Sequence, residues 1–309
     1  LVALRCASFI RSSVRHDGSW PIDTHLATWT TTLAIKALSH QEHPLSPERR
    51  QSVRAWLLDQ QFKTIHPYTG AAPGGWAWTP LPGGVPDADD TPRALIALAH
   101  LGAVDGEVEH AVNQGVQWLL DLQNRDGGIP TFCRGWGTLP FDRSSPDLTA
   151  HTLRAWSTWL PQLHGHLQTR TSDAIGDALN YLRKSRLPNG GWIPLWFGNQ
   201  HAPDETNVVY GTACVVIALR ELKNRGILFP PELLHDAIHL LTRLQRPDGS
   251  WSSAIDHNAT TIQQPIPGPS SIEETALAVE ALAGTAKVGA SDRGARWLIR
   301  QINSGTWTD

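Results

Sequence analysis

Two kinds of helix alternate along the chain, as judged from its hydrophobic and polar positions. The first kind is amphipathic and recurs about every sixty residues, and each copy leads into a glycine-containing turn that usually closes with Trp. One apolar and one polar face are typical of outer helices. The copies are Trp56 to Gln61 with Gly74-Gly75-Trp76, Trp118 to Gln123 with Gly127-Gly128-Ile129, Tyr181 to Arg186 with Gly190-Gly191-Trp192, and Leu240 to Gln245 with Gly249-Ser250-Trp251; a degenerate copy precedes them at Gly18-Ser19-Trp20, and a last one is Gln301, Gly305 and Trp307.

The second kind of helix is rich in small residues and apolar on most of its faces, as expected of a buried helix. A ten-residue phrase recurs in it, with threonines that align at the third position. Inner and outer helices that alternate at this period predict an all-α toroid of helical hairpins, with five inner and about six outer helices. The phrases begin at Trp29, Asp89, Asp147, Tyr210 and Glu273, and the threonines are Thr31, Thr91, Thr149, Thr212 and Thr275.

The repeated turns suggest a structural role. Gln at a helix C-terminus can hydrogen-bond the unpaired end carbonyls, and Gly can provide a left-handed C-cap. Trp can then cover the turn and donate its indole N–H. We therefore expect the tryptophans of these turns to stabilise the fold.

Composition narrows the classes of function. With 40% apolar residues the chain of 309 residues can bury a sizeable core, and a net charge of −3 without a run of Lys or Arg argues against nucleic acid. Cys6, Cys133 and Cys214 form no CxxC pair, so we expect a reducing compartment and neither a disulfide framework nor a zinc centre. The apolar stretch 212–219 is shorter than the ~20 residues of a membrane span. Because the sequence has no Met, we expect a piece of a longer protein.

Three carboxylates lie within four residues at the start of an apolar helix, in Asp87-Ala88-Asp89-Asp90. Their mutual repulsion pushes at least one of them towards its protonated form. A neutral carboxylic acid beside the aromatic loop at Trp76 and Trp78 is suited to protonate a weak base such as an alkene. The alternative is a purely acidic helix start, since Asp is favoured at N-caps and in first turns.

The N-terminal ends of the inner helices should converge on one rim of the toroid, where the phrase-initial residues surround a cavity. His151 lies one helical turn after Asp147, a spacing at which the carboxylate can hold the imidazole cationic. If His151 faces Asp89 across the rim, it stabilises the carboxylate that remains after proton donation. The alternative is a core histidine without a catalytic role.

These residues resemble motifs of a known family. Pro86 to Thr91 is similar to the DxDD motif of class II terpene cyclases, and the Gln-ended turns resemble the QW motif of squalene–hopene cyclases and their oxidosqualene relatives. Asp147 to His151 resembles the segment that supplies the histidine supporting the acid in bacterial squalene–hopene cyclases. Tyr210 to Thr212 resembles that family's active-site tyrosine segment, and Trp29 and Trp78 fall where the family places cavity aromatics.

The resemblance implies an (α/α)6 barrel, here one domain over 1–309, without the last inner helix and the family's second helical domain. It also implies protonation of a terminal alkene of a linear polyprene, squalene, and cyclisation to a polycyclic triterpene. Neither a metal nor a cofactor is implied, and we find no DDxxD cluster. The implied site comprises Asp89 as the acid, Asp87 and Asp90 that keep it protonated, His151 with Asp147 that strengthen it, and Trp29, Trp78 and Tyr210 whose aromatic faces stabilise carbocations.

The implied enzyme is cytoplasmic; peripheral association with the inner membrane and a homodimer stay open. Two departures from the family pattern are Pro92 after the acidic run and an apparent insertion at 199–207. Three alternatives remain. They are a cyclase of diphosphate-bearing diterpenoids, a protein prenyltransferase β-like subunit with a zinc site at Cys214, and a non-catalytic or incomplete toroid.

Overall fold

Helices of both predicted kinds make up most of the structure. The computed structural model describes residues 2–12, 14, 25–39, 45–81, 83–102, 104–132, 142–253 and 269–305. The turn at Trp20, Cys133 and Trp307 lie outside the described residues. Within them the chain forms α1 (Val2–Ser12), α2 (Ala27–Leu38), α3 (Pro47–Asp59), α4 (Asp90–Leu101), α5 (Gly106–Leu122), α6 (Pro146–Trp159), α7 (Gly165–Ser185), α8 (Val208–Asn224), α9 (Pro231–Arg243), α10 (Ile272–Leu282) and α11 (Val288–Ser304), with strands β1 (Ile129–Pro130) and β2 (Ser144–Ser145).

An inner layer of helices is surrounded by an outer one. The inner helices α2, α4, α6, α8 and α10 pack on one another in chain order, and an ion pair between Lys36 and Glu280 joins α2 to α10. Outside them, α3, α5, α7, α9 and α11 each pack against at least one inner helix. Helix α8 is buried from Val208 to Leu219, as its apolar pattern predicts. The predicted all-α toroid of alternating inner and outer helices is therefore confirmed.

Four of the aligned threonines tie the inner helices α4, α6, α8 and α10 to the turns before them, and turn tryptophans add bonds to the outer helices. The Oγ1 atoms of Thr91, Thr149, Thr212 and Thr275 accept hydrogen bonds from the backbone N–H groups of Trp76, Ile129, Trp192 and Trp251, at 2.9 to 3.1 Å. The indole N–H groups of Trp76, Trp192 and Trp251 donate at 2.8 Å to carbonyls near the ends of the outer helices, those of Leu57, Leu182 and Leu241.

The glutamines of the turns have a different role from the predicted one. Gln61 Nε2 donates to Gly74 O at 2.8 Å and to Ala111 O in the next outer helix at 2.9 Å, and Gln123 and Gln245 make the equivalent pairs. Each glutamine thus links two outer helices, and in the turns that close with Trp the indole donates to a carbonyl near the helix end. The prediction that these glutamines pair with the end carbonyls of their own helices was wrong, because their side chains extend to the next outer helix.

Gly305, with φ 74°, is the predicted left-handed C-cap, at the end of α11, whereas the glycines of the other described turns lie beyond the helix caps and allow close approach. Gly127 has φ 91°, and a Cβ atom there would lie 2.3 Å from the carbonyl oxygen of Asp177 in α7. Gly74 has φ 119° and meets Gln114 of α5 in the same way, at 2.6 Å. The positive φ was predicted, but Gly74 and Gly127 pack against the next outer helix rather than cap their own.

Of the helices that the structure describes, none combines the length and hydropathy needed to cross a bilayer.

Candidate active site

A cavity of about 490 Å³ lies where the N-terminal ends of α2, α4 and α6 meet. Aromatic and aliphatic side chains form most of its wall, and three carboxylates and one hydroxyl lie among them. Its size is that of an ordinary small-molecule site. The lining residues are Leu26, Trp29, Trp78, Asp87, Asp89, Asp90, Thr131, Phe132, Leu148, Trp196 and Phe197.

Backbone contacts on both sides fix the position of the acidic segment, Asp87 to Asp90. Asp87 forms an antiparallel bridge with Phe132, and Ala88 N donates to Thr131 O at 3.1 Å. Asp87 N donates in turn to Trp76 O at 3.0 Å. The segment before α4 is therefore fixed between the turn at Trp76 and the stretch after β1, so its carboxylates have set positions at the cavity wall.

Asp87 caps the N-terminus of α4. Its Oδ1 accepts hydrogen bonds from Asp89 N at 2.8 Å and from Asp90 N at 2.7 Å. These are the amides of the N-cap residue and of the first residue of α4, for which the helix backbone provides no partner. The capping alternative raised by the sequence thus holds for Asp87 itself, alongside its place in the cavity wall.

Asp87 and Asp90 are both buried, each with 4% of its surface exposed. Burial raises the pKa of Asp87 to about 7 against the two backbone hydrogen bonds, and burial together with Asp87 and Asp89 raises the pKa of Asp90 well above its usual range. Asp87 Oδ2 and Asp90 Oδ1 are buried and have no donor among the described residues. One proton held between the two carboxyls would satisfy both oxygens. The raised pKa values favour the protonated forms of Asp87 and Asp90, and burial is the main cause; the charge repulsion on which the sequence prediction rests contributes less.

Asp89 is the carboxylate that opens most directly to the cavity, with 17% of its side chain exposed. Arg93, one turn later on α4, donates from Nε to Asp89 Oδ1 at 3.0 Å. His151 Nε2 lies 3.6 Å from the same oxygen and 3.4 Å from Arg93 Nη2. The structure thus brings His151 to Asp89 as the sequence predicts, with a guanidinium at the same point that was not predicted.

The surroundings of His151 favour its neutral form, in contrast to the cationic imidazole expected from the sequence. Burial, then the charges of Arg93 and Arg154, lower the pKa of His151 well below 6.5. The described residues include no hydrogen bond between His151 and Asp147, because Asp147 Oδ1 accepts from Ser145 Oγ. Burial raises the pKa of Asp147 to about 6, so it is a weak source of negative charge for the imidazole.

The three aromatic residues predicted for the cavity lie at different depths. Trp29 and Trp78 line it, and Trp78 O accepts from the backbone N–H groups of Thr28 and Trp29 at 3.1 and 3.4 Å. Tyr210 is 3% exposed and lies behind the wall, stacked on Phe197 with ring centroids 4.8 Å apart. Tyr210 is therefore positioned to act on the cavity through Phe197.

Sequence reasoning missed Arg93 and three aromatic residues among the unpredicted residues of the site. Arg93 stands four residues after Asp89, a spacing at which Asp and Arg pair on a helix, so a search for such pairs would have found it. Phe132, Trp196 and Phe197 line the cavity from loops that lie far from the acidic motif along the chain. Trp196 is fixed by a hydrogen bond from its indole to Thr131 Oγ1. No local pattern points to these three aromatic residues.

The described residues also bear on metal binding. Across the described ranges, no three His, Cys, Asp or Glu side chains come together in a group that could hold a metal ion. Cys214, on which a zinc site would depend, is buried in α8, and burial raises the pKa of its thiol far above the usual value.

The raised pKa of Asp87 predicts how stability depends on pH. The folded chain keeps a proton on Asp87 that the unfolded chain releases between about pH 4 and pH 7, so the free energy of unfolding falls as the pH rises through this window. Each pKa unit corresponds to about 1.4 kcal/mol. Asp87→Asn keeps an oxygen for the two backbone amides but has no titratable proton. We therefore expect its free energy of unfolding in urea to fall less between pH 4.5 and pH 7.5 than that of the wild type.

The matched control is Asp87→Ala, which removes the cap as well as the charge. It should lower the free energy of unfolding at pH 4.5 by about 1–2 kcal/mol, whereas Asp87→Asn should not. Asp147 titrates in the same direction, so Asp87→Asn reduces the pH dependence without abolishing it. Equal pH dependence in the wild type and in Asp87→Asn would contradict the prediction.

Comparison with known structures shows the fold that these elements build. An ent-copalyl diphosphate synthase from Streptomyces platensis superposes with a TM-score of 0.64 at 22% identity, over 95% of this chain and 48% of that one. A type II terpene cyclase from Scytonema, MstE, superposes with a TM-score of 0.59 at 20% identity, over 96% of this chain and 76% of that one. At these identities the likeness shows a shared α-α toroid fold.

Comparison with known sequences shows the family. A squalene–hopene cyclase from Bradyrhizobium diazoefficiens is 26% identical over 303 residues, which cover 91% of this chain and 43% of that protein. The chain thus spans less than half the length of this relative. The family model described as the squalene-hopene cyclase C-terminal domain matches residues 26–309. The chain therefore belongs to the squalene-hopene cyclase C-terminal domain family.

Proposed function

We propose that this protein is a class II terpene cyclase that starts cyclisation by protonating a double bond, with Asp89 as the acid. One observation carries the proposal. The Asp89 carboxyl opens into a largely aromatic cavity and is held there between Arg93 and His151. An acid in a water-poor cavity can protonate an alkene, a base too weak to compete with bulk water.

The proposed first step transfers the proton of Asp89 to a terminal double bond, leaving a tertiary carbocation on the substrate and a carboxylate on Asp89. The next double bond attacks the cation, and each ring closure moves the positive charge along the chain. Trp29, Trp78 and Phe197 line the cavity along this path, and a desolvated cation–π contact stabilises a cation by about 2 kcal/mol. Loss of a proton or capture of water ends the sequence.

We propose an uncharged linear polyprene, squalene, as the substrate. Among the described residues that line the cavity, the charged side chains are the carboxylates Asp87, Asp89 and Asp90, and none is Lys or Arg. Carboxylates repel a diphosphate, so this wall favours a neutral hydrocarbon. The relatives named squalene–hopene cyclase support the same substrate.

We further propose that residues 1–309 form one α/α-barrel domain.

The test uses the complete gene product, incubated in D₂O with squalene in detergent and, separately, with geranylgeranyl diphosphate. We expect a cyclic product from squalene that carries one deuterium, because the acidic proton of Asp89 exchanges with solvent before it is transferred. Mass spectrometry of the extracted product measures the incorporation. A cyclic product without deuterium would contradict protonation by the enzyme, and conversion of the diphosphate alone would contradict the neutral substrate.

A further inference from the structure

Arg93 lies on α4 and contacts both Asp89, the proposed acid, and His151. Its Nε donates to Asp89 Oδ1 at 3.0 Å, and its Nη2 lies 3.4 Å from His151 Nε2. Only 17% of its side chain is exposed. Because the donors of a guanidinium lie at fixed angles in one plane, such a contact fixes the orientation of a carboxylate.

His151 is not the source of positive charge for Asp89. Its Nε2 lies 3.6 Å from Asp89 Oδ1, too far for a hydrogen bond. The lowered pKa of His151 leaves the imidazole uncharged at neutral pH. The charge beside Asp89 therefore comes from another residue.

The two other cations near His151 have partners at the opposite end of the inner helices. Arg154 Nη2 pairs with Glu221 Oε1 at 2.7 Å, and Lys36 pairs with Glu280. In the part of the chain that the structure describes, Arg93 is thus the cation in contact with Asp89.

We propose that Arg93 is a positioning residue for the reaction, which orients the Asp89 carboxyl and stabilises the carboxylate that remains after proton transfer. This inference rests on the proposed function, since it takes Asp89 as the acid. A positive charge at the conjugate base makes the acid stronger, so the transfer of its proton to an alkene becomes more favourable.

His151 then supports Arg93 rather than Asp89. A neutral imidazole that carries its proton on Nδ1 can accept a hydrogen bond at Nε2 from Arg93 Nη2, which holds the guanidinium against Asp89. Gln can accept a hydrogen bond at a similar position, so His151→Gln should preserve this support. The roles expected from the sequence are exchanged: the permanent charge belongs to Arg93, and the orienting contact belongs to His151.

Titratable groups on every element packed around Asp89, Arg93 and His151 contribute to the pH dependence of turnover. The acidic segment, α6, α8, α10 and α2 all contribute. The groups are Asp87 and Asp90 from the acidic segment, Asp147 and Arg154 from α6, Tyr210 and Cys214 from α8, Glu273 from α10 and Lys36 from α2.

The first experiment measures turnover of Arg93→Gln, Arg93→Lys and His151→Gln between pH 5 and pH 8, in the complete gene product and with the substrate that the wild type converts. Arg93→Gln should lower kcat by about 100-fold, the effect of removing one preorganised donor, with little change in KM. Arg93→Lys should recover part of that loss. His151→Gln should lower kcat less than Arg93→Gln does and keep the wild-type pH profile. Melting temperatures show which variants are folded.

Two results would overturn the proposal. One is wild-type kcat in folded Arg93→Gln. The other is a loss in His151→Gln as large as in Arg93→Gln, with a changed pH dependence near pH 6–7, since that result would show that a cationic imidazole supports the acid.

A second experiment does not depend on turnover. NMR titration of His151 in ¹⁵N-histidine-labelled protein should show a pKa below the ordinary histidine value in the wild type and protonation at higher pH in Arg93→Gln and in a second variant, Arg93→Met. If the wild type converts no polyprene but these titrations are observed, the proposed function fails while the placement of Arg93 stands. A His151 titration that does not respond to removal of Arg93 overturns the further inference.

Discussion

Asp89→Asn should abolish cyclisation while the chain stays folded. An amide has no acidic proton to give, and the triplet offers no substitute, since Asp87 is engaged at the start of α4 and both Asp87 and Asp90 are buried. General-acid catalysis contributes up to about 10⁴-fold, and here the acid starts the reaction, so we expect turnover to fall by about that factor. Product yield from the proposed substrate, followed by gas chromatography, gives the measurement.

The matched control is Asp90→Asn, the same substitution at the next position. Asp90 shares the charge of the triplet but is buried, so its variant should alter the pH dependence of turnover more than its maximal rate. The melting temperature of Asp89→Asn should stay close to that of the wild type, because the isosteric amide keeps an oxygen that can accept from Arg93. Full activity in Asp89→Asn would refute the assignment of the acid.

The arrangement of helices could be predicted from the sequence because the repeat is written into local spacing. The aligned threonines mark the start of each inner helix, and four of them accept a backbone N–H from the preceding turn. The role of Gln61, Gln123 and Gln245 could not be predicted in the same way. Their partners lie about fifty residues away on the next outer helix, so they depend on how hairpins stack rather than on the helix they end.

The site could be predicted in part, for a related reason. The convergence of inner-helix ends places His151 near Asp89, as expected. The surroundings of the imidazole could not be predicted, because spacing alone does not show that Ser145 donates to Asp147 or that Arg93 contacts His151. The roles assigned to Asp89, Trp29, Trp78 and Tyr210 stay predictions until variants are measured.

Trp192→Ala should destabilise the protein strongly. The indole is fully buried, and its N–H donates to Leu182 O at 2.8 Å, while its backbone N–H donates to Thr212 Oγ1 at 3.1 Å. Truncation of a buried tryptophan to alanine costs about 3–5 kcal/mol, because it leaves a cavity and here also an unpaired carbonyl. The free energy of unfolding in urea gives the measurement.

The controls separate the ring from its hydrogen bond and from the cavity. Trp192→Phe keeps most of the buried ring but leaves Leu182 O without its donor, so we expect a smaller loss, about 1–3 kcal/mol. Trp196→Ala makes the same truncation at a tryptophan that is 43% exposed and lines the cavity, so its effect on stability should be far smaller. If Trp192→Ala lowered turnover at unchanged stability, the turn would belong to the reaction rather than to the fold. A large loss of stability in Trp192→Ala, with little loss in Trp196→Ala, would instead show that this repeated turn stabilises the fold. The buried turn tryptophan would then serve folding, and the more exposed tryptophan of the cavity would be available for the proposed chemistry.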